Sequence, residues 1–298
     1  MKRAVSISLG SSERDKTVEL TLLGDKVLIE RRGTDGDTQK AKRLFAELDG
    51  KVDALGLGGI DLYVQVYDKK WPIRAGQKLV EHVRHTPVVD GSGLKNTLEY
   101  QAVATLIDQL GESYKSGRVL LTAAVDRFGL TRAFFEQGYE VICGDIGFAL
   151  GLPIPVRTMP QLKQFANVLA PIATRLPISV LYPTGEAQDK IVPKFANWYA
   201  WASVIAGDTH YIRRHMPDDL SGKVIISNTT TPKDMALFKE RDVNHVLTTT
   251  PVINGRSFGT NMMEAALTAV SGKNRPLSLF ELEMLIAQLA LTPTLHTL

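Results

Sequence analysis

From residue 117 onward, short apolar runs alternate with helix-length stretches, and this alternation constrains the fold more than any other feature of the chain. The spacing predicts strands at 118–122, 139–143, 178–181, 223–227 and 245–247. It predicts helices at 130–137, 160–176, 195–206 and 261–270, and a last helix from Ser278 to residue 291. Thr158 with Gln161 and Ser278 with Glu281 are capping-box patterns, and Thr231-Pro232 supplies an N-cap followed by an N1 proline. Strands and helices alternating at this length build βαβ units and a parallel sheet.

The opening has a different rhythm. Val5, Ile7 and Leu9, then Val18, Leu20 and Leu22, alternate with polar residues at strand spacing. Gly24-Asp25 marks a turn before a third strand at 27–29. Ala41, Leu44, Phe45 and Leu48 then fall on one helical face, Gly50 stops that helix, and a strand follows at 52–57. Beyond it the pattern predicts helices at 75–84 and 96–110, with a short strand at 87–89. The polar run 111–117 reads as a linker. The expected architecture is α/β: an N-terminal β-β-β-α-β substrate domain over 1–115, then a Rossmann-like parallel-sheet domain with a C-terminal helix over 116–298.

Composition narrows the function. Hydrophobic residues make up 44% and charged residues 22%, which suits a globular chain. The net charge of +3 is spread evenly, so no segment looks like a nucleic-acid arm or a polybasic membrane patch. Cys143 is the only cysteine, which excludes an intrachain disulfide and a cysteine-rich zinc site. His82 and His85 lack a third ligand at suitable spacing, so no metal is expected. No run approaches the roughly 18 apolar residues of a membrane span. The start, Met1 to Ser8, reads as a strand rather than a signal peptide, and the expected compartment is the cytoplasm. The expected partner is a small molecule, and the oligomeric state stays open.

In open α/β sheets, ligands bind beyond the carboxyl ends of the strands. The segments just after the strands are rich in Gly, Thr, Ser, Asn and Asp, residues that line ligand crevices and also make ordinary loops and caps. Residues 117–145 have a dinucleotide-binding layout, with Asp145 about twenty residues after the turn, where a carboxylate meets the ribose of NAD. The turn 123–129 lacks the Gly-x-Gly-x-x-Gly pattern. Candidate cofactor contacts are Thr122, Ala123, Asp126, Arg127, Gly129, Asp145, Thr184, Asn228 and Thr229. In the segment 90–97, two glycines precede a helix start that favours anions. Lys95 there is the candidate proton donor, with Asp90 orienting it; a capped helix start with a solvated lysine is the plainer alternative. Candidate substrate contacts are Ser11, Ser12, Gly59, Asp61, Asn96, Thr97, Arg256, Thr260 and Asn261. The polar turn 208–215 reads either as a carboxylate or phosphate site or as a solvated helix end.

Through the segments 6–12, 56–61, 90–97 and 256–261, the chain resembles over most of its length a bacterial family commonly labelled quinate/shikimate 5-dehydrogenase. The resemblance implies an NAD- or NADP-dependent oxidoreductase acting on a small hydroxy acid of the quinate/shikimate type. Two alternatives stand beside it. One is a non-catalytic sensor of a small molecule or nucleotide, favoured by the degenerate turn at 122–129. The other is a nucleotide- or phosphate-handling enzyme of the actin/sugar-kinase type, suggested by Gly10-Ser11-Ser12 after the first strand.

Overall fold

A computed structural model describes residues 1–177, 191–250, 252–253 and 256–298, with side chains described outside 251–257. They form two compact units. The first comprises Met1–Leu94, Gly259–Ala290 and the described part of 168–188. The second comprises Lys95–Asn167, the described part of 189–258 and Leu291–Leu298.

The first unit opens with β1 (Lys2–Ser8), β2 (Lys16–Leu22), β3 (Asp25–Gly33), the helix Thr38–Leu48 and β4 (Ala54–Gly58). Leu23 and Gly24 both take positive φ, so the β2–β3 hairpin closes in two residues. Asp37 caps the helix by accepting from the N–H groups of Gln39 and Lys40. A hairpin of β5 (Tyr63–Val66) and β6 (Lys69–Pro72) follows, then β7 (Val88–Val89). The main sheet runs β2-β3-β1-β4-β7, antiparallel only between β2 and β3. Val5, Ile7, Leu55 and Leu57 meet Phe45 and Leu48 of the helix in a buried core.

A helix distant in sequence completes this unit. Thr260–Ser271 is buried at every residue but Asn261 and Ser271, and packs on β1, β3 and β4. A Cβ at Gly56 would lie 2.9 Å from the Asn261 carbonyl oxygen, and one at Gly58 would lie 2.9 Å from its Nδ2. The glycines of β4 therefore let the helix start sit against the sheet. This packing places 259–290 with the first ninety-four residues, a division that differs from a single cut at 115/116.

In the second unit, β8 (Arg118–Leu121), β9 (Glu140–Cys143), β10 (Val204–Gly207), β11 (Val224–Ser227) and β12 (His245–Thr248) are parallel. A short hairpin, β13 (Val252–Ile253) with β14 (Arg256–Ser257), follows β12. The last strand, β15 (Thr294–Thr297), pairs antiparallel with β12. The order is β15-β12-β11-β10-β8-β9, so the chain leaves β8 for β9 on one side and returns to β10 on the other. This reversal between β8 and β10 is a topological switch point. Leu120, Ile142, Ile205, Ile225 and Val246 pack against Phe148, Tyr199, Ile212 and Phe238 in one core.

Several expectations are corrected here. Residues 195–206 are not one helix: Ala196–Trp201 is helical, and Val204–Gly207 is the central strand β10. A mostly apolar run, with only Asn197 and Ser203 interrupting it, has no clear periodicity to separate a buried helix from a buried strand. The expected helix at 96–110 divides into Ser92–Asn96, a 3-10 turn at Glu99–Gln101, and Ala102–Leu110. The helix expected at 75–84 is shorter, Arg74–Leu79. The strand expected at 178–181 lies outside the described residues. No helix among the described residues is long and apolar enough to cross a membrane.

Candidate functional site

The loops after β8, β10 and β11 in the second unit bring together a ladder of charged groups. Lys95 Nζ lies 2.8 Å from Asp126 Oδ1. Asp126 Oδ2 lies 3.1 Å from Arg127 Nε. The Arg127 guanidinium donates to Glu99 Oε1, and at 3.0 Å to Asp208 Oδ2. Asn228 Nδ2 donates to the same oxygen at 3.2 Å, while Asp208 Oδ1 caps the helix Thr209–His215 through the His210 N–H. Arg127 thus joins the loops after β8 and β10 directly across the switch point.

Burial divides the ladder in two. Arg127 is 4% exposed and Glu99 1%. The side chains of Asp126 and Asp208 are 34% and 22% exposed, and Asn228 is half-buried. The deep half is the anchor, and the outer half presents two carboxylates and an amide. Desolvation raises the Glu99 carboxyl above its ordinary value, although Arg127 and Lys95 pull it down. Among the described residues, its Oε2 finds no hydrogen-bond partner. Burial also works against the Asp208 charge, but His210, Arg127 and the His210 N–H outweigh it and hold that group below its ordinary value. The nearby hydroxyls of Thr209 and Ser227 are bonded to each other at 2.6 Å and to the carbonyls of Thr229 and Gly207.

Lys95, Asp126, Arg127 and Asn228 thus meet as sequence candidates, joined by Asp208 from the polar turn 208–215 and by Glu99, which the sequence did not single out. The expected Asp90–Lys95 couple is replaced. Lys95 pairs with Asp126, while Asp90 accepts from the Leu62 N–H at 2.6 Å and from the N–H and Oγ of Ser92. Thr122 and Ala123 act through their backbones: Thr122 N–H donates to the Ala206 carbonyl, and the Ala123 carbonyl accepts from Arg127 N–H. Gly129 makes room for the chain rather than for a ligand, since a Cβ there would lie 2.7 Å from Asn96 Cα and closer still to the Lys95 carbonyl oxygen. Thr97 is buried, and the Thr229 carbonyl accepts from Thr209. Arg256 lies on β14 with its side chain outside the description, and Thr184 lies outside the described residues.

In the first unit, Ser11 Oγ accepts from the Glu13 N–H. Gly59 takes φ +80° against Leu9, and the Asp61 carbonyl packs on Gly76. Thr260 lies close to Gly91, and Asn261 Nδ2 donates to Ser6 Oγ at 2.6 Å.

The three loops expected to hold an anion all hold one of the protein's own carboxylates. Asp35 accepts from Ser12 N–H at 2.7 Å. Glu264 accepts from the N–H groups of Gly93 and Leu94 at 3.0 and 3.3 Å. Asp145 accepts from Ala124 and Val125 N–H, each at 3.0 Å. These are the groups with which a phosphate or pyrophosphate would have to bond. Burial pushes Asp145 up to about 6 in spite of the two N–H donors. Its carboxylate is turned into the loop instead of outward to a ribose.

Fold and site define an α/β protein of two units, with parallel strands in each main sheet and a charged ladder at the switch point of the second. Residues 93–298 match the family described as "Domain of unknown function (DUF8754)", and the chain belongs to that family. Residues 3–90 match "Domain of unknown function (DUF8753)". Comparison with curated proteins found no match.

Three solved structures illustrate the likeness to known folds. The arabinose-binding protein AraP from Geobacillus stearothermophilus is 16% identical, with 83% of this chain and 81% of that chain covered at a TM-score of 0.37. An ABC transporter solute-binding protein from Burkholderia multivorans is 13% identical over 99% of both chains, at 0.38. The glucose-galactose binding protein GanP from Geobacillus stearothermophilus is 9% identical over 99% and 97%, at 0.39. Scores this low carry no conclusion about the ligand of this chain.

The expected kinship with quinate/shikimate dehydrogenases is corrected by these findings. The families matched are domains of unknown function, and the similar structures are described as binding proteins for sugars or solutes, not as dehydrogenases. The reading as an NAD(P)-dependent oxidoreductase, and as an enzyme, is withdrawn with it. The geometry agrees, because Asp145 fills the loop meant for pyrophosphate and Asp90 serves its own turn.

Proposed function

We propose that the chain is a non-catalytic binding protein for a small, uncharged, polar molecule, held at the carboxyl edge of the second unit's sheet. The observation that carries this reading is the ladder at the switch point between β8 and β10, where α/β sheets take their ligands. Lys95 and Arg127 stand against Asp126, Asp208 and Glu99 there, so the ladder holds one more acid than base. An anionic ligand would meet carboxylates at the exposed end, with no net positive field to offset them. A neutral ligand with hydroxyl groups would donate to Asp126 and Asp208 and accept from Asn228.

A thermal-shift screen with glycerol, erythritol, xylitol, myo-inositol and glucose, beside phosphate esters of the same compounds and NAD, tests this reading. We expect at least one neutral compound to raise the melting temperature, with its phosphate ester ineffective. Stabilisation by NAD or by phosphate esters alone, or by none of the panel, refutes it.

A further inference from the structure

The outer strand of the second sheet, β9, has a free edge that is covered at one end only. Glu140 N–H donates to the Gly117 carbonyl and Gly144 N–H to the Leu121 carbonyl, so Glu140 and Ile142 face β8 while Val141 and Cys143 face outward. Val156 covers Cys143 in an antiparallel bridge, with bonds of 2.8 and 3.3 Å. The next such pair would set Thr158 opposite Val141. Thr158 is instead committed to the helix Met159–Ala173: its carbonyl accepts from Leu162 N–H at 3.0 Å and its Oγ1 from Gln161 N–H at 3.3 Å. Among the described residues, the outward N–H and C=O of Val141 therefore have no partner, although Val141 is only 3% exposed. A buried backbone pair left open in this way is costly unless something binds it. Val141 lines a cavity of about 500 Å³ whose walls include Phe135, Tyr139 and Met159.

We infer that this edge binds the carboxyl-terminal end of an extended peptide, which adds a short strand beside Val141. Charge complementarity comes from Arg157, which also lines the cavity. Its guanidinium lies 5.2 Å from the centroid of the Trp201 ring, with Arg118 at 5.8 Å from the same ring, and among the described residues it makes no hydrogen bond or ion pair. Arg157 follows Val156, the partner of Cys143, so it stands at the carboxyl end of the edge, while the Glu140 carboxylate stands at the other. A segment running parallel to β9 ends against Val156 with its carboxylate at Arg157 and away from Glu140. Its main chain exchanges hydrogen bonds with Val141, and an apolar side chain near its end packs on Phe135 and Met159. A phosphate or a simple carboxylic acid meets Arg157 but brings no donor to the Val141 carbonyl; an extended peptide satisfies both. The cavity lies along the outer edge of β9 and the polyol site at the carboxyl ends of β8 and β10, so the two readings stand or fall separately.

Fluorescence anisotropy tests the inference with three peptides labelled at the amino terminus: Gly-Ser-Gly-Val-Leu-Val with a free carboxylate, the same peptide amidated, and the free acid N-methylated at its leucine and final valine. The free acid should saturate the native protein at micromolar concentration, the amide should bind about tenfold or more weakly, and the N-methylated acid, which cannot donate to the Val141 carbonyl, should not bind. Arg157→Gln should reduce the affinity of the free acid to that of the amide. Arg157 is exposed, so the variant should melt within about 2 °C of the native chain; the comparison of acid with amide on the native protein decides the matter even if it melts lower. Equal binding of acid and amide, tight binding of the N-methylated acid, or no binding by any of the three overturns the inference. So does an affinity for the free acid that Arg157→Gln leaves unchanged, since the peptide then sits elsewhere.

Discussion

Replacing Arg127 by methionine removes the guanidinium that holds the ladder together and leaves three acids behind, of which Asp126 keeps its pairing with Lys95. Glu99 is 1% exposed and loses its hydrogen-bond donor on Oε1. Breaking a buried ion pair from one side costs about 3–5 kcal/mol, because the remaining charge stays desolvated. Asp208 keeps the His210 N–H and Asn228 and is partly exposed, so it adds under about 1 kcal/mol. At about 2–4 °C per kcal/mol for a unit of this size, the melting temperature should fall by roughly 6–24 °C. The pH dependence has a definite sign. Glu99 already titrates above its ordinary value in the folded chain, and losing Arg127, which pulls it down, raises it further. A group raised on folding contributes stability below its unfolded value and loses that contribution as pH rises through the folded value. The deficit of the variant should therefore be largest at neutral pH and shrink on acidification toward pH 5. Differential scanning calorimetry across this range, with the Arg127→Met/Glu99→Gln double variant alongside, measures it. The double variant should recover most of the loss, since no buried charge remains at position 99. A single variant within about 1 kcal/mol of the native chain, or a double variant no better than the single, refutes the reasoning.

Two further outcomes follow from the same unit. Gly129→Ala places a methyl group against the backbone of Lys95 and Asn96, and should cost about 1–3 kcal/mol or more in denaturant titration; a neutral result would show that the helix Phe128–Glu136 moves aside freely. For Asp145, raised by burial to about 6, the stabilising proton is lost as pH rises through 6; Asp145→Asn should therefore gain on the native protein by roughly 1–3 kcal/mol between pH 4 and pH 7, and a flat difference would contradict the burial argument.

The parts of the fold legible in the sequence were those with a local signature. Strands at β8, β9, β11 and β12 lie where the apolar spacing puts them, and the N-cap with N1 proline at Thr231-Pro232 and the capping box at Ser278 mark helix starts correctly. β10 was hidden because Trp198, Tyr199, Val204 and Ile205 belong to one apolar stretch, broken near β10 only by Ser203, with no clear period to read. β15 directly follows Pro293 and has only four residues. In the candidate site, the loops were legible and their internal chemistry was not. Which acid turns inward depends on partners far away in sequence: Arg127 meets Glu99 across 28 positions and Asp208 across 81, and Gly93 meets Glu264 across 171. Glu99, between Leu98 and Tyr100, looks like any helix-surface acid until the fold brings Arg127 to it. The same reason hid the three carboxylates that fill the anion loops.

The most direct test of the binding site is a crystal structure of the protein soaked with the neutral polyol that stabilises it most. We expect its hydroxyls within hydrogen-bond distance of the Asp126 and Asp208 carboxylates, at the carboxyl ends of β8 and β10. A polyol bound elsewhere, or NAD in the loop 122–129 with Asp145 displaced from the Ala124 and Val125 N–H groups, would contradict the site and the function proposed for it.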